Sequence, residues 1–187
     1  MTRRSLAAGA IVVAASLVYA LIVRGDIAPN LRIGRRTRNL GPIRLHVAAS
    51  PEEVFDVIAS PYLGRTPKAL GAELKVLERG TDMVLAEHYT KTLFGLTSTT
   101  TETVRFERPT RITFQLVRGP VPHVGETFEL VPSGEGTEFR YSGDMTTDLW
   151  AVGAGWGKMV ASTWERTVRT SMAKIVAEAE RRDASRR

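Results

Sequence analysis

The chain has 187 residues, 43% of them apolar and 25% charged, which is ordinary for a globular protein. It contains no cysteine, which excludes a disulfide framework and a thiolate metal site. The formal net charge is +6, but residues 1–42 carry seven arginines and one aspartate, so the rest of the chain is neutral. Because a neutral domain offers no electrostatic surface to a phosphate backbone, we expect no nucleic-acid partner.

An uncharged stretch of 19 residues, Ser5 to Val23, lies close to the N-terminus. As a helix it would be about 28 Å long, close to the roughly 30 Å hydrocarbon core of a bilayer. We therefore predict a single transmembrane anchor within residues 1–24, which contacts membrane lipids through residues 5–23 and the adjacent arginines. The alternative is a signal peptide that is cleaved after Ala20, so that the protein is exported.

The charges and the composition next to this stretch predict how the chain is divided. More arginines follow the stretch than precede it, and the positive-inside rule then places the domain in the cytoplasm. Glycine and proline interrupt residues 25–41 without any periodicity, which is typical of a linker, here a basic one. We expect the folded domain over residues 42–182 and a disordered tail over 183–187.

The predicted domain begins with a strand over residues 43–47, where apolar and polar residues alternate. A helix is predicted next, because Ser50 has the position of an N-cap, Pro51 the first helical position and Glu53 that of a capping-box acid. The Ser60-Pro61 pair predicts the end of this helix. A second short helix is expected over residues 62–70.

Strand patterns then follow without another long helix. Short turns rich in glycine and proline separate them, which indicates an antiparallel sheet with the helices on one side. The six predicted strands cover residues 72–79, 82–91, 96–106, 111–117, 123–131 and 137–146.

The longest predicted helix, Gly157 to Arg182, carries an apolar stripe along one side. Because a short helix could not cover this stripe, we predict an α+β fold in which a seven-stranded antiparallel sheet wraps around the helix. Residues 153–157 are rich in glycine and are interpreted as a flexible start of this helix, since Lys158 occupies the third-glycine position of a phosphate loop. The stripe consists of Val160, Ala161, Trp164, Val168, Met172, Ile175 and Ala179.

Three short motifs occur in a fixed order between Pro42 and Ala179. Together with the terminal helix they resemble the START and polyketide-cyclase/lipid-transport superfamily, whose fold is called helix-grip or SRPBCC. The resemblance implies a deep apolar cavity between sheet and helix, in members that bind lipids, cyclise polyketides, hydrolyse substrates or act as co-chaperones, so it does not decide the function. The motifs are Ala49-Ser50-Pro51-Glu52-Glu53-Val54-Phe55, Glu107-Arg108-Pro109-Thr110-Arg111 and Gly134-Glu135-Gly136-Thr137-Glu138-Phe139.

The sequence shows no catalytic motif. Its histidines lie on separate predicted strands without metal-ligand spacing, so we predict neither a metal nor a cofactor. Glu102 and Arg105 point to opposite faces of one strand and are not expected to form an ion pair in a cavity. His88 lines the cavity if its face of the strand, rather than the face of Glu87, is turned inward, and a structural histidine is the alternative. The residues predicted to line the cavity are Val84, His88, Phe114, Val160, Trp164 and Val168.

Three functions are compatible with these patterns. We favour a membrane-tethered binding or carrier protein for a hydrophobic small molecule such as a lipid, a fatty acyl chain or a polyketide, which is held by burial of apolar surface. The alternative is an enzyme of the polyketide cyclase or dehydratase type, whose general base lies in the same cavity. No convergent acid/base pair is recognisable, so catalytic residues are not assigned. A third possibility is a protein-interaction module with bulky side chains under Trp164.

Overall fold

The computed structural model describes residues 3–28, 30–64, 73–92 and 95–186, with side chains from residue 12 onward. The elements have the predicted α+β order, with one long helix after the strands. In chain order they are α1 (Arg3–Val23), β1 (Arg36–Val47), α2 (Pro51–Leu63), β2 (Leu74–Arg79), β3 (Met83–Lys91), β4 (Thr97–Glu107), β5 (Arg111–Arg118), β6 (His123–Ser133), β7 (Gly136–Thr147) and α3 (Trp150–Ala184).

The strands form one antiparallel sheet in the order β1-β7-β6-β5-β4-β3-β2. Its concave face packs against α2 and α3, and this arrangement confirms the predicted helix-grip architecture. The apolar stripe of α3 faces the core, because Ala161, Val168, Met172 and Ala179 are buried and their neighbours on the stripe are partly buried.

Strand β1 begins at Arg36, inside the segment predicted as a linker. It pairs with β7 from Arg36 opposite Thr147 onward, with an irregularity between Leu40 and Ile43. The backbone N–H of Gly41, at this irregularity, donates a hydrogen bond to Glu165 Oε1 on α3 at 3.0 Å. The basic segment therefore contributes to the sheet and is fastened to the long helix.

Helix α2 continues past the expected end at Ser60-Pro61 and reaches Leu63. Proline lacks the N–H that would bond the carbonyl of Val57, one turn earlier. The hydroxyl of Ser60 donates to that carbonyl at 3.2 Å, which satisfies it and lets the last turn form. The second short helix expected over residues 62–70 lies mostly outside the described residues.

Helix α3 begins at Trp150, about two turns before the predicted start, so the interpretation of residues 153–157 as flexible was wrong. Gly153 and Gly157 are buried, and each faces the end of β7 or the residue after it. A Cβ on Gly153 would lie 1.5 Å from the carbonyl oxygen of Asp148, and one on Gly157 would lie 2.8 Å from Thr147 Cγ2. These glycines allow the helix to approach the sheet closely.

The last residues of α1 contact the domain. Val23 is buried, and the ring of Tyr19 packs edge-on against Trp156 with 5.9 Å between the ring centroids. Over the described part of the chain, no helix is both long enough and apolar enough to cross a membrane. The predicted transmembrane segment starts in residues whose side chains lie outside the described ones.

Candidate functional site

Polar and aromatic side chains gather on the concave face of the sheet, where it meets the two packed helices. We call this group the inner polar cluster. It contains two hydrogen-bonded sets, one around His88 and one around Glu126. Its members are Tyr62 from α2, His88 from β3, Thr100 and Glu102 from β4, Glu126 from β6, Tyr141 from β7 and Trp164 from α3.

His88 is turned inward because it alternates along β3 with Val84 and Ala86, which are both buried. Its Nε2 lies 2.9 Å from the hydroxyl of Tyr62, at the end of α2. Its Nδ1 lies 3.1 Å from Oε2 of Glu102, and 22% of the His88 side chain is exposed, against 7% for Glu102. The histidine is therefore the more accessible partner of a buried acid.

The pKa values of this pair move apart. Burial is the largest single effect and lowers the pKa of His88, but the charge and contact of Glu102 and the charge of Glu126 together outweigh it, so the pKa lies above its usual value. Burial raises the pKa of Glu102, but the charge and close contact of His88 and the hydrogen bond from Thr100 together outweigh it, so this pKa lies below its usual value. The pair therefore favours an imidazolium next to a carboxylate.

Glu126 is the acceptor at the centre of the second hydrogen-bonded set. The hydroxyl of Tyr141 and the indole N–H of Trp164 both donate to its Oε1, each at 2.6 Å. Burial and the charge of Glu102 raise the pKa of Glu126 to about 7, against the opposing effect of these two hydrogen bonds. Near neutral pH this carboxyl group is therefore divided between its acid and its base form.

The strands create space for Glu126 on an otherwise apolar face. Phe128 and Leu130, two and four residues further along β6, point the same way and are buried. Directly opposite Glu126 on β7 lies Gly143, where a Cβ would approach Glu126 Cγ to 3.3 Å. A Cβ there would also lie 2.5 Å from the carbonyl oxygen of Gly125, so the close pairing of β6 and β7 beside Glu126 requires a glycine.

The residues predicted to line the cavity lie on the facing surfaces of sheet and helix. Val84 and Phe114 are buried on the sheet, and the Phe114 ring contacts the ring of Tyr62 with a centroid distance of 6.1 Å. On α3, Val168 is buried and Val160 and Trp164 are partly buried. The structure brings His88 and Trp164 into one polar cluster, but their contact with a ligand stays a prediction.

Sequence reasoning missed most of the cluster, namely Tyr62, Thr100, Glu102, Glu126 and Tyr141. It did place Glu102 and Arg105 on opposite faces, as observed, since Arg105 is exposed and pairs with Asp82. Strand alternation could have indicated the two glutamates, because an acidic residue two positions from a buried residue of the same strand points to the same inner face. That signal was not sufficient, since the contacts among four strands and two helices depend on the tertiary fold.

A separate groove of about 340 Å³ lies between α3 and β1. It is not the predicted apolar cavity, because charged residues of the polar side of α3 dominate its lining. Among the described residues, no three histidine, aspartate or glutamate side chains are grouped as a metal site would require. The groove is lined by Arg38, Lys158, Ala161, Ser162, Glu165, Arg166 and Arg169.

The known proteins that this chain resembles agree with this architecture. The model of the family described as polyketide cyclase/dehydrase and lipid transport matches residues 44–180. No curated protein is significantly similar in sequence.

Solved structures share the fold at low sequence identity. The Zhui aromatase/cyclase from Streptomyces sp. R1128 has a TM-score of 0.63 and 18% identity over 79% of this chain and 96% of its own. Norcoclaurine synthase from Thalictrum flavum, in complex with dopamine and hydroxybenzaldehyde, has a TM-score of 0.60 and 16% identity over 78% of this chain and 87% of its own. The protein TTHA0849 from Thermus thermophilus has a TM-score of 0.60 and 16% identity over 76% of this chain and 97% of its own.

Proposed function

Because the chain belongs to the polyketide cyclase/dehydrase and lipid transport family, we propose that the domain binds a largely apolar small molecule on the concave face of its sheet and moves a proton on it. The ligand class is an apolar body that carries a carbonyl group. Burial of the apolar body would supply the affinity, at about 25 cal/mol per Å². A few polar groups of the inner polar cluster would then fix its orientation.

The proposal rests on two buried carboxyl groups on one face of the sheet, whose pKa values are shifted in opposite directions. The pKa of Glu102 is lowered, whereas burial raises the pKa of Glu126 to about 7. Environments that push two such pKa values apart assign one group to a fixed charge and the other to proton transfer. A group that titrates near neutral pH is well suited to general acid–base catalysis.

The proposed step is the enolisation of a carbonyl compound. Glu126 takes the proton from the carbon next to the carbonyl, the electron pair of that C–H bond forms a C=C bond to the carbonyl carbon, and the carbonyl π pair moves onto the oxygen. Both hydrogen bonds to Glu126 reach Oε1, so Oε2 is the atom that takes the proton. The hydroxyl of Tyr62, which accepts from Nε2 of the charged His88, donates a hydrogen bond to the developing oxyanion, and Glu102 holds the imidazolium in place at Nδ1.

The apolar part of the ligand would lie along the residues predicted from the sequence. Val84 and Phe114 on the sheet and Val168 on α3 offer apolar surface on the two sides of the core. Trp164 offers its ring, while its indole N–H is committed to Glu126. This arrangement would place the carbonyl end of the ligand near the polar cluster and its apolar end among the aliphatic side chains.

The test is deuterium incorporation into an apolar 1,3-diketone in D₂O, followed by NMR with the full chain. We expect the wild type to accelerate exchange at the acidic carbon and Glu126→Gln to lose about 100-fold or more of this acceleration, as is typical for a general base. The matched control is Glu129→Gln, on the same strand but in an exposed ion pair with Arg111. Loss of exchange in the control, or unchanged exchange in Glu126→Gln, would contradict the proposal.

A carrier that performs no chemistry is the second candidate. The hydrogen bonds of His88 to Tyr62 and of Glu126 to Tyr141 and Trp164 also suit a static polar end of a binding cavity. Tight binding of the diketone without any exchange would favour the carrier. Native mass spectrometry of the protein purified from its own source would then identify the retained hydrophobic molecule. Attachment to a membrane and a cytoplasmic position of the domain stay predictions from the sequence.

A further inference from the structure

Large apolar side chains are exposed at one end of the domain, where the segment before β1 meets the start of α3. Trp150 is 57% exposed and Val152 77%, and Leu31, Ile33 and Leu149 are also exposed. We call these five residues the apolar end surface. On the surface of a soluble protein, large apolar side chains are normally exposed singly, so five of them at one end indicate an interaction surface.

The backbone holds this surface together. The N–H of Leu149 donates to the carbonyl of Ile33 at 2.7 Å, and the N–H of Trp150 donates to that of Gly34 at 2.9 Å. The indole ring of Trp150 lies over Gly34, where a Cβ would come within 2.3 Å of the ring. The two segments therefore form one connected patch.

The patch is kept in place in spite of unfavourable backbone geometry. Arg32, Leu149 and Trp150 have φ values of 57°, 69° and 49°, a region that residues with a Cβ rarely adopt. Asp148 fixes both segments, because it accepts the N–H of Arg32 at 2.8 Å and pairs with Arg35 at 2.8 Å. Strained conformations of this kind persist where the surroundings enforce them, and they concentrate at functional sites.

Arginines surround the apolar end surface. Arg32 lies between Leu31 and Ile33 in the sequence, Arg36 follows at the start of β1, and both are exposed. Arg118 donates to the carbonyl of Asp26, just after α1, and Arg24, the residue after α1, is exposed and pairs with the Asp26 carboxylate at 3.6 Å. An apolar centre with a cationic rim is complementary to an anionic lipid surface.

Helix α1 leaves the domain next to this surface. Tyr19 on α1 contacts Trp156, which lies between one and two turns after Trp150 on α3. On the preceding turn of α1, Leu17 and Val18 are exposed. The apolar side chains of α1 thus extend the exposed apolar region beyond the domain itself.

From these observations we infer that the apolar end surface docks on an anionic lipid bilayer, with Trp150 at the level of the headgroups and the surrounding arginines on the lipid phosphates. Tryptophan is well suited to this level because its ring is apolar and its N–H is polar. A second copy of the chain is a poorer partner, because a symmetric contact would bring the two arginine rims together. The docking does not depend on the proposed proton transfer.

The test uses the full chain with vesicles of phosphatidylcholine and phosphatidylglycerol, in which the acyl chains are either brominated or not. The emission of Trp150 is obtained as the difference between the wild type and Trp150→Phe, which keeps an aromatic ring over Gly34. We expect brominated lipid to quench at least half of this component, less so in pure phosphatidylcholine vesicles and at high salt. Val152→Asp is expected to abolish the quenching.

The matched control is Leu77→Asp, which changes an exposed leucine on β2, the strand at the far edge of the sheet from β1. This variant should be quenched like the wild type. A Trp150 component that is equally bright in brominated and ordinary vesicles would overturn the inference, even if α1 keeps the protein on the vesicles. A component that changes with protein concentration in the absence of lipid would instead assign the surface to a second copy.

Discussion

The indole Nε1 of Trp164 lies 2.6 Å from Oε1 of Glu126, so the long helix and the sheet meet at an ionisable group. A hydrogen bond to a carboxylate is stronger than one to a neutral carboxyl, so the contact tightens when Glu126 loses its proton. The ionisation of Glu126 and the position of α3 are therefore linked. A ligand that takes or gives a proton at Glu126 would change how firmly the helix is held.

The first prediction concerns the pH dependence of stability. Folding raises the pKa of Glu126 from the ordinary 4.5 to about 7, so the stability tied to its proton is complete below about pH 4.5 and lost as the pH rises through 7. A shift of this size corresponds to about 3 kcal/mol. Glu126→Gln should therefore lack this loss, and its free energy of unfolding should fall less than that of the wild type between pH 4.5 and 8.

Chemical denaturation of both proteins across this pH range measures the difference. The other titrating groups are common to both proteins, so the difference reports Glu126 together with the effect of its charge on the pKa of His88. Glu129→Gln should follow the wild-type curve, because that side chain is exposed. Parallel curves for the wild type and Glu126→Gln would show that the carboxyl group titrates at its ordinary value.

The second prediction concerns the histidine pair. Burial, the largest single effect, lowers the pKa of His88, but the charge and contact of Glu102 together with the charge of Glu126 raise it by more. Glu102→Gln removes the charge and keeps the size, so the burial effect should dominate and the pKa of His88 should fall. NMR titration of the imidazole protons measures this directly. His123, which is exposed and pairs with Asp144, serves as the internal reference. An unchanged His88 pKa in the variant would mean that the ion pair is not formed.

The fold was largely predictable because its signals are local. Strand alternation and the 3.6-residue stripe of α3 both depend on residues a few positions apart, and the structure confirms both. The start of α3 was predicted too late in the chain, because its glycines were interpreted as a sign of flexibility. At Gly153 and Gly157 it serves close packing against residues near the end of β7, a contact that no local pattern reveals.

The candidate site was less predictable for a related reason. His88 and Trp164 were singled out from their own segments, but their partners were not. Tyr62 reaches His88 across 26 positions of the chain, and Glu126 reaches Trp164 across 38. A buried glutamate becomes recognisable as such only when the groups around it are known, since its pKa depends on them.

The third prediction compares a buried glycine of α3 with an exposed one. Gly153→Ala should destabilise the protein strongly, because the new Cβ would lie 1.5 Å from the carbonyl oxygen of Asp148. Gly155→Ala is the matched control two residues later, with nothing within 4 Å of the new Cβ. It should stabilise the helix by about 1 kcal/mol. Thermal unfolding of the two variants gives the comparison, and similar effects at both positions would contradict the observed start of α3.

The fourth prediction concerns the start of the folded domain. A chain that begins at Asn30 keeps β1, the buried Leu40 and the ion pair between Arg35 and Asp148. A chain that begins at Gly41 loses the first five residues of β1, including Leu40, and this ion pair, and it exposes the edge of β7 that pairs with residues 36–40. We expect the longer chain to be soluble and folded and the shorter one to aggregate, because an open strand edge promotes association. Size-exclusion chromatography and circular dichroism distinguish them, and equal behaviour would show that residues 30–40 are dispensable.

The last prediction returns to Trp164. Its hydrogen bond lowers the pKa of Glu126, so Trp164→Phe, which keeps an aromatic ring and removes the N–H, should raise this pKa above about 7. Trp164→Ala also removes the ring, but Trp164 is only partly buried, so it should cost less than the about 3–5 kcal/mol typical of a core tryptophan. Both variants should fold, and the alanine variant should bind a fluorescent fatty acid analogue with altered affinity. A wild type that binds no apolar probe, together with an alanine variant that fails to fold, would favour a protein-interaction module with a filled core.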